Sequence, residues 1–452
     1  MTTIHAATAL LAEGWRNNVR LGIEAGRIAT LEIEAPARPG DERHAIVLPA
    51  MPNLHSHAFQ RGMAGLAERR GPGTDSFWSW RELMYRFALK MAPEQLEAVA
   101  AQLYAEMLEA GFARVGEFHY LHHDPAGQPY ANPAEMGARI AAAAQQSGIG
   151  LCLMPVFYAH SGFGGAAPGA AQRRFVTTPE RYARLLEATR SALAPLPGAR
   201  LGVAPHSLRA VTPEELGAVL TLAPTGPVHL HIAEQTQEVE DCRAWSGARP
   251  VQWLIDHVAV DGRWCLVHAT HMTPEETTRS AASGAVVGLC PITEANLGDG
   301  IFDAPAFAAA GGGWGIGSDS NVQIGVADEL RMLEYSQRLA TRQRNVMAEP
   351  GASNGRALFD AALAGGAAAL GESAGVVGLG VGAAADLVSL DARAPVLAGR
   401  SGDALLDAWI FTGRVPVDCV WAGGRKQVEG GRHCRREAIE ARFLGAMAEL
   451  AA

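Results

Sequence analysis

Eight times between Ala45 and Asp319 the chain repeats one move, a short apolar run followed by a longer stretch with helical features. The runs are AIVLPAM, ARVGEF, IGLCLMPVF, ARLGVAP, PVHLHIAE, RWCLVHAT, GAVVGLCP and GGWGIGSD. Among the segments between them, APEQLEAVAAQLYAEMLEAG has a 3.6-residue apolar period, and TPEELGAVLTLA opens with a Thr-Pro-Glu-Glu helix start. Strand-then-helix units repeated eight times predict an α/β protein built as a (β/α)8 barrel of the TIM type. A doubly wound open sheet is the alternative, but no GxGxxG follows an early strand.

The two ends read differently. VRLGIEAGRIATLEIE near the N-terminus is two alternating strands joined by Ala-Gly. VVGLGVGAAADLVSLD and RVPVDCVWAGGRKQVEGGRH near the C-terminus carry strand and turn signals again. We expect residues 1–45 and 376–435 to form one small β-sandwich domain, residues 46–375 the barrel, and residues 436–452 a C-terminal helix.

In such barrels functional side chains sit at the C-terminal ends of strands. The first run leads into MPNLHSHAFQRGM, where His55 and His57 lie two residues apart and project to one face of an extended chain. The second runs into EFHYLHHD, whose His119, His122 and His123 read as a polar loop. The fourth ends with His206 and Arg209, and the fifth carries His229, His231 and then Glu234. The sixth ends in His268 and the eighth in Asp319. Each residue alone has an ordinary explanation in packing or capping. Imidazoles and a carboxylate arriving together from separate strands at one rim point to a metal site.

Composition narrows the partners. The chain has 452 residues, 48% apolar and 19% charged, and a formal net charge of −9. That balance argues against nucleic acid or an anionic membrane surface as the main partner. No apolar run has membrane-spanning length, and no basic segment precedes the short N-terminal apolar patch. The six cysteines form no CxxC pair, which fits reduced thiols and a cytoplasmic protein.

The segments MPNLHSHAFQRGMAG, HLHIAEQTQEVEDC, LVHATH, CPITEANLGDG and GSDSN, together with the split terminal β-domain, resemble the amidohydrolase superfamily and, within it, the formimidoylglutamate deiminases of histidine degradation. The resemblance spans essentially the whole chain and implies hydrolysis of N-formimino-L-glutamate to N-formyl-L-glutamate and ammonia. It implies that His55, His57, His231 and Asp319 bind one metal, with His229 one pleat deeper in the barrel. Relatives with two metals carry a carboxylated lysine or a glutamate at strand four. LGVAPHSLR has neither, so one metal is expected: zinc, with iron(II) as the alternative. Glu234 is the expected proton shuttle, assisted by His268 and Asp319. Gln60, Arg81, Tyr120, His206 and Arg209 are the expected substrate contacts, with Arg81 in a long aromatic loop after strand one. A homodimer is also expected. The competing readings are an aromatic-base deaminase of the same superfamily, which would not need two anion sites, and a non-catalytic barrel.

Overall fold

The computed structural model describes residues 2–71, 73, 75–372 and 377–451. The expected domain boundary at 375/376 lies outside the described residues. In chain order the strands are β1 (Thr2–Leu11), β2 (Gly14–Glu24), β3 (Arg27–Glu32), β4 (Glu42–Pro49), β5 (Met51–Ser56), β6 (Phe112–His119), β7 (Gly150–Phe157), β8 (Arg200–Leu201), β9 (Ala204–Pro205), β10 (Val228–Ile232), β11 (Trp264–His268), β12 (Val286–Leu289), β13 (Gly313–Ile316), β14 (Leu387–Leu390), β15 (Val417–Ala422), β16 (Arg425–Glu429) and β17 (Arg432–His433).

The ends meet in one eight-stranded sheet, ordered β17-β16-β15-β14-β4-β1-β2-β3. The β2–β3 hairpin turns at Ala25 and Gly26, both with positive φ, 48° and 79°, as a tight turn matched to strand twist requires. The sheet buries its own apolar cluster, including Ile4, Leu21, Val47, Leu387 and Trp421, apart from the barrel core.

AIVLP is not the first barrel strand. Ile46–Pro49 pair antiparallel with Leu387–Leu390 of the terminal sheet, and the barrel begins at Met51, which pairs with Phe112 of β6. A continuous apolar run suits any strand buried on both faces, so its composition could not say which sheet it enters. Strand four is also broken, into the two-residue pieces β8 and β9.

The barrel strands pair in parallel as β5-β6-β7-β8, with β9 also on β7, and as β10-β11-β12-β13. Single parallel bridging pairs close the gaps: Val203 with Val228, Ser207 with His231, and Ser56 with Asp319. At the last closure the His57 amide donates to the Asp319 carbonyl and the Asp319 amide to the His55 carbonyl, both at 3.0 Å. Gly317 permits this approach, since a Cβ there would lie 2.8 Å from the His55 carbonyl oxygen.

Helix α1 (Phe77–Ala88) and helix α2 (Pro93–Glu109) fill the long β5–β6 connection. Arg81 therefore stands on a helix, not in a loop. The helix Pro213–Thr221 starts as its sequence predicts: Thr212 accepts from the Glu215 amide, and the Glu215 carboxylate accepts from the Thr212 amide. No helix among the described residues is long and apolar enough to cross a membrane.

Candidate active site and metal centre

His55 lies in β5, His57 one residue beyond it, His231 in β10, and Asp319 just past β13. All four are buried. His55 Nε2 lies 3.2 Å from His57 Nε2, 3.1 Å from His231 Nε2 and 3.4 Å from Asp319 Oδ1, and His57 Nε2 lies 3.2 Å from that same oxygen. One proton on His55 Nε2 cannot serve three neighbours. His57 Nδ1 donates to the Phe118 carbonyl at 2.9 Å, which leaves a lone pair on its Nε2. Four ligands about 2.0–2.1 Å from a common tetrahedral centre would stand about 3.3–3.4 Å apart. The donor set therefore fits one divalent metal. Burial pushes the His55 imidazole down to about 3 and holds His231 well below its ordinary value, so both stay neutral, as metal ligands must.

His229, two residues before His231, donates from Nε2 to the Ala369 carbonyl at 2.8 Å and is spent in the core. His119 ends β6, and His122 and His123 follow it in a loop that is buried instead of open to solvent. All three are buried, with His122 and His123 held on the carbonyls of Val156 and Val176, each at 2.8 Å.

Glu234, His268 and Asp319 converge beside the metal donors. His268 Nε2 lies 3.8 Å from Glu234 Oε1 and 3.9 Å from Asp319 Oδ2, too long for direct hydrogen bonds and short enough for one water to bridge. Its Nδ1 faces Glu294 Oε1 at 3.3 Å, an orienting contact that sequence reasoning missed. Burial disfavours charge on His268, but the carboxylates of Glu234, Glu294 and Asp319 outweigh it and push the imidazole up to about 10. Burial, with Asp319 and Glu238 nearby, raises Glu234 above the ordinary carboxylate range against the pull of His268 and Arg209.

The rim is strained. Ala233, His268 and Asp319 have φ of 50°, 67° and 43°, a left-handed conformation that costs a non-glycine residue about 1–2 kcal/mol. Asn321 holds one of these turns. Its side-chain amide donates to the carbonyls of His57 at 3.0 Å and Asp319 at 2.9 Å, while its oxygen accepts from Ser318 Oγ at 2.6 Å. Asn53 closes the network by donating to Ser318 Oγ at 2.7 Å. Both asparagines stand inside the quoted motifs, but nothing in their spacing announced that they lace strand one to strand eight.

A cavity opens over these groups. Gln60, Arg81, Tyr120, His206 and Arg209 all line it, beside His57, His231, Glu234, His268 and Asp319. Gln60 donates to the Tyr120 hydroxyl at 3.0 Å, and its own Oε1 is buried without a partner. Arg209 lies 4.0 Å from Glu234 and 3.9 Å from Glu238, and its buried Nε has no hydrogen-bond partner. The Arg81 guanidinium stacks 4.5 Å from the Trp78 ring centre and pairs with no carboxylate among the described residues.

A closed parallel barrel with an accessory terminal sheet and three imidazoles plus one carboxylate on its rim is the architecture of a metal-dependent hydrolase. Residues 46–426 match the amidohydrolase family, and the chain belongs to it. Residues 1–45 match the N-terminal domain of formimidoylglutamate deiminase. The chain is 53% identical to the formimidoylglutamate deiminase of Pseudomonas aeruginosa, covering 100% of both, and is a member of that group within the family. It superposes on the crystal structure of an amidohydrolase from Brucella melitensis with a TM-score of 0.97, at 62% identity and 100% coverage of both chains. An adenosine deaminase from Xanthomonas campestris, solved with bound zinc, shares the fold at a TM-score of 0.82 and 22% identity, over 100% of this chain and 98% of that one.

Proposed function

We propose that this chain hydrolyses N-formimino-L-glutamate to N-formyl-L-glutamate and ammonia, the deimination step of histidine degradation. The observation that carries the reading is the cavity itself. Two guanidinia, Arg81 with no carboxylate partner among the described residues and Arg209 with Glu234 and Glu238 no nearer than 3.9 Å, share it with a metal-ready donor set, which suits a dicarboxylate bearing a hydrolysable amidine. An aromatic base needs amide and stacking contacts and has no use for two cations. Full-length identity to a formimidoylglutamate deiminase supports the same substrate.

His55, His57, His231 and Asp319 would hold one zinc ion, since nitrogen donors with a single carboxylate suit that metal. When bound, the metal supplies Lewis-acid activation, lowering the pKa of water to about 7. Glu234 takes one proton from the attacking water and passes it to the departing nitrogen, then takes the second from the hydroxyl of the adduct as the C–N bond breaks, so that ammonia leaves and the formyl carbonyl forms. His268, aimed by Glu294, orients that water between Glu234 and Asp319. The unpartnered Gln60 oxygen accepts from the formimino N–H. Arg209, Arg81, His206 and Tyr120 hold the two carboxylates. Burial, with Arg209 close by, keeps His206 neutral, so it offers a carboxylate a single N–H and no charge of its own. We also read the protein as a cytoplasmic homodimer. Its cysteines are free, which fits a reducing compartment, and sedimentation tests the dimer.

Metal analysis of the purified protein, followed by ammonia release from a panel of formiminoglutamate, formiminoglycine, guanine and adenosine, tests the reading. Formiminoglutamate should be turned over far faster than the rest. Preference for a purine would overturn it.

A further inference from the structure

Two phenols in the cavity wall have no part in the chemistry above. Tyr158 directly follows β7, and Tyr85 stands on α1 one turn after Arg81. Both are tied to Gln172, a buried residue ending the short turn Ala170–Gln172. Gln172 Oε1 accepts the Gly169 amide at 2.8 Å. That bond settles which end of the amide is which, because a backbone N–H needs an acceptor. The Gln172 amino group therefore faces the phenols, donating to Tyr158 Oη at 2.5 Å and lying 3.4 Å from Tyr85 Oη.

This arrangement fixes the direction of the phenolic protons. An amino group cannot accept, so neither hydroxyl can give its proton back to Gln172. Burial keeps the Tyr158 phenol protonated far above neutral pH. One phenol can donate to the other, and the second proton then still has no protein acceptor among the described residues. At least one O–H donor is thus turned toward a cavity that also contains Arg81 and Arg209. Donors converging beside guanidinia make an anion-binding surface.

We propose that Tyr85 and Tyr158 donate hydrogen bonds to one carboxylate of a dicarboxylate ligand, and that Gln172 is the positioning residue that orients them. The proposal rests on the substrate reading above for the identity of the diacid. It differs from a bracing role, in which Gln172 merely ties the β7 loop to α1, because bracing would not distinguish one carboxylate from two.

The test uses the metal-loaded enzyme. Tyr158→Phe and Tyr85→Phe delete a donor, and Gln172→Glu keeps the shape but accepts the phenolic protons and turns them away from the ligand. Binding of N-formyl-L-glutamate is measured by calorimetry against two truncated analogues, N-formyl-4-aminobutyrate and N-formyl-2-aminobutyrate, each lacking one carboxylate. We expect Tyr158→Phe and Gln172→Glu to weaken diacid binding by about tenfold or more. One truncated analogue should be nearly insensitive to either change, and it identifies the carboxylate concerned. With formiminoglutamate, KM should rise and kcat should stay within about threefold. Unchanged diacid binding, equal losses for the diacid and both analogues, or a fall in kcat at constant KM would each overturn the proposal. Failure of the wild type to hydrolyse formiminoglutamate would sink the substrate reading instead, and dicarboxylate binding would still decide the role of the phenols.

Discussion

The side of the cavity that presents the His and Asp donors is assembled from the ends of barrel strands, whereas the two guanidinia proposed to bind the substrate's carboxylates ride on a helix and a loop. His55, His57, His231 and Asp319 are buried, carried by paired backbone, and one of them sits at a left-handed φ enforced by cross-strand hydrogen bonds. Arg81 rides on α1, a connection inserted between two strands, and Arg209 stands beyond a strand reduced to two-residue pieces. The chemistry needs donors held within a few tenths of an ångström, which hydrogen-bonded strands supply. Substrate choice needs side chains that change without disturbing that frame, which loops supply. A family that keeps one reaction centre and varies its substrates is the expected result.

If the two sides are separable in this way, damage to the first should abolish metal or chemistry, and damage to the second should change only recognition. The largest effect is expected from Asp319→Ala, which removes the one carboxylate ligand and a group beside His268. Metal content by elemental analysis should fall below a tenth of an equivalent, with nearly all activity lost. A full equivalent of metal with normal turnover would break the assignment.

Glu234→Gln comes next. It preserves shape but cannot carry a proton, so turnover at saturating substrate should fall by at least about 10²-fold with metal retained. Near-normal turnover would remove Glu234 from the mechanism.

Arg209→Met should lower kcat/KM for formiminoglutamate by roughly 10- to 100-fold and leave metal content unchanged. The loss should be much smaller for an analogue already lacking the matching carboxylate, a double-mutant cycle with the substrate as one partner. Equal losses would make Arg209 structural and move the anion site toward Arg81.

The smallest of these effects sharpens the boundary between the two sides. Asn321→Ala removes one side chain's share of the lacing between strands one and eight, leaving Asn53 and the backbone bonds, without touching the donors. Chelator competition should show metal affinity reduced by about 10-fold, the lower end for groups that hold ligands in place. The KM for formiminoglutamate should barely move. A KM effect larger than the metal effect would mean that the frame and the wall are not independent.

Much of this molecule was legible in the sequence, for a physical reason. Eight strand-and-helix units are a periodic signal, and a parallel barrel places the residue at each strand's end on one rim whatever lies between. That is why His55, His57, His231, His268 and Asp319 could be gathered from far-apart segments. Tertiary structure alone decided the rest. AIVLP could not declare its sheet, because burial on both faces looks the same in either one. EFHYLHHD looked polar, yet its histidines are buried, because a backbone carbonyl can satisfy an imidazole and composition cannot reveal the partner. Glu294, Asn53, Asn321 and Gln172 act by hydrogen bonds across 26, 265, 264 and 87 residues of chain, and no local period encodes contacts of that length. Which residues carry the chemistry followed from residue type and register. How they are aimed followed only from what the fold placed behind them.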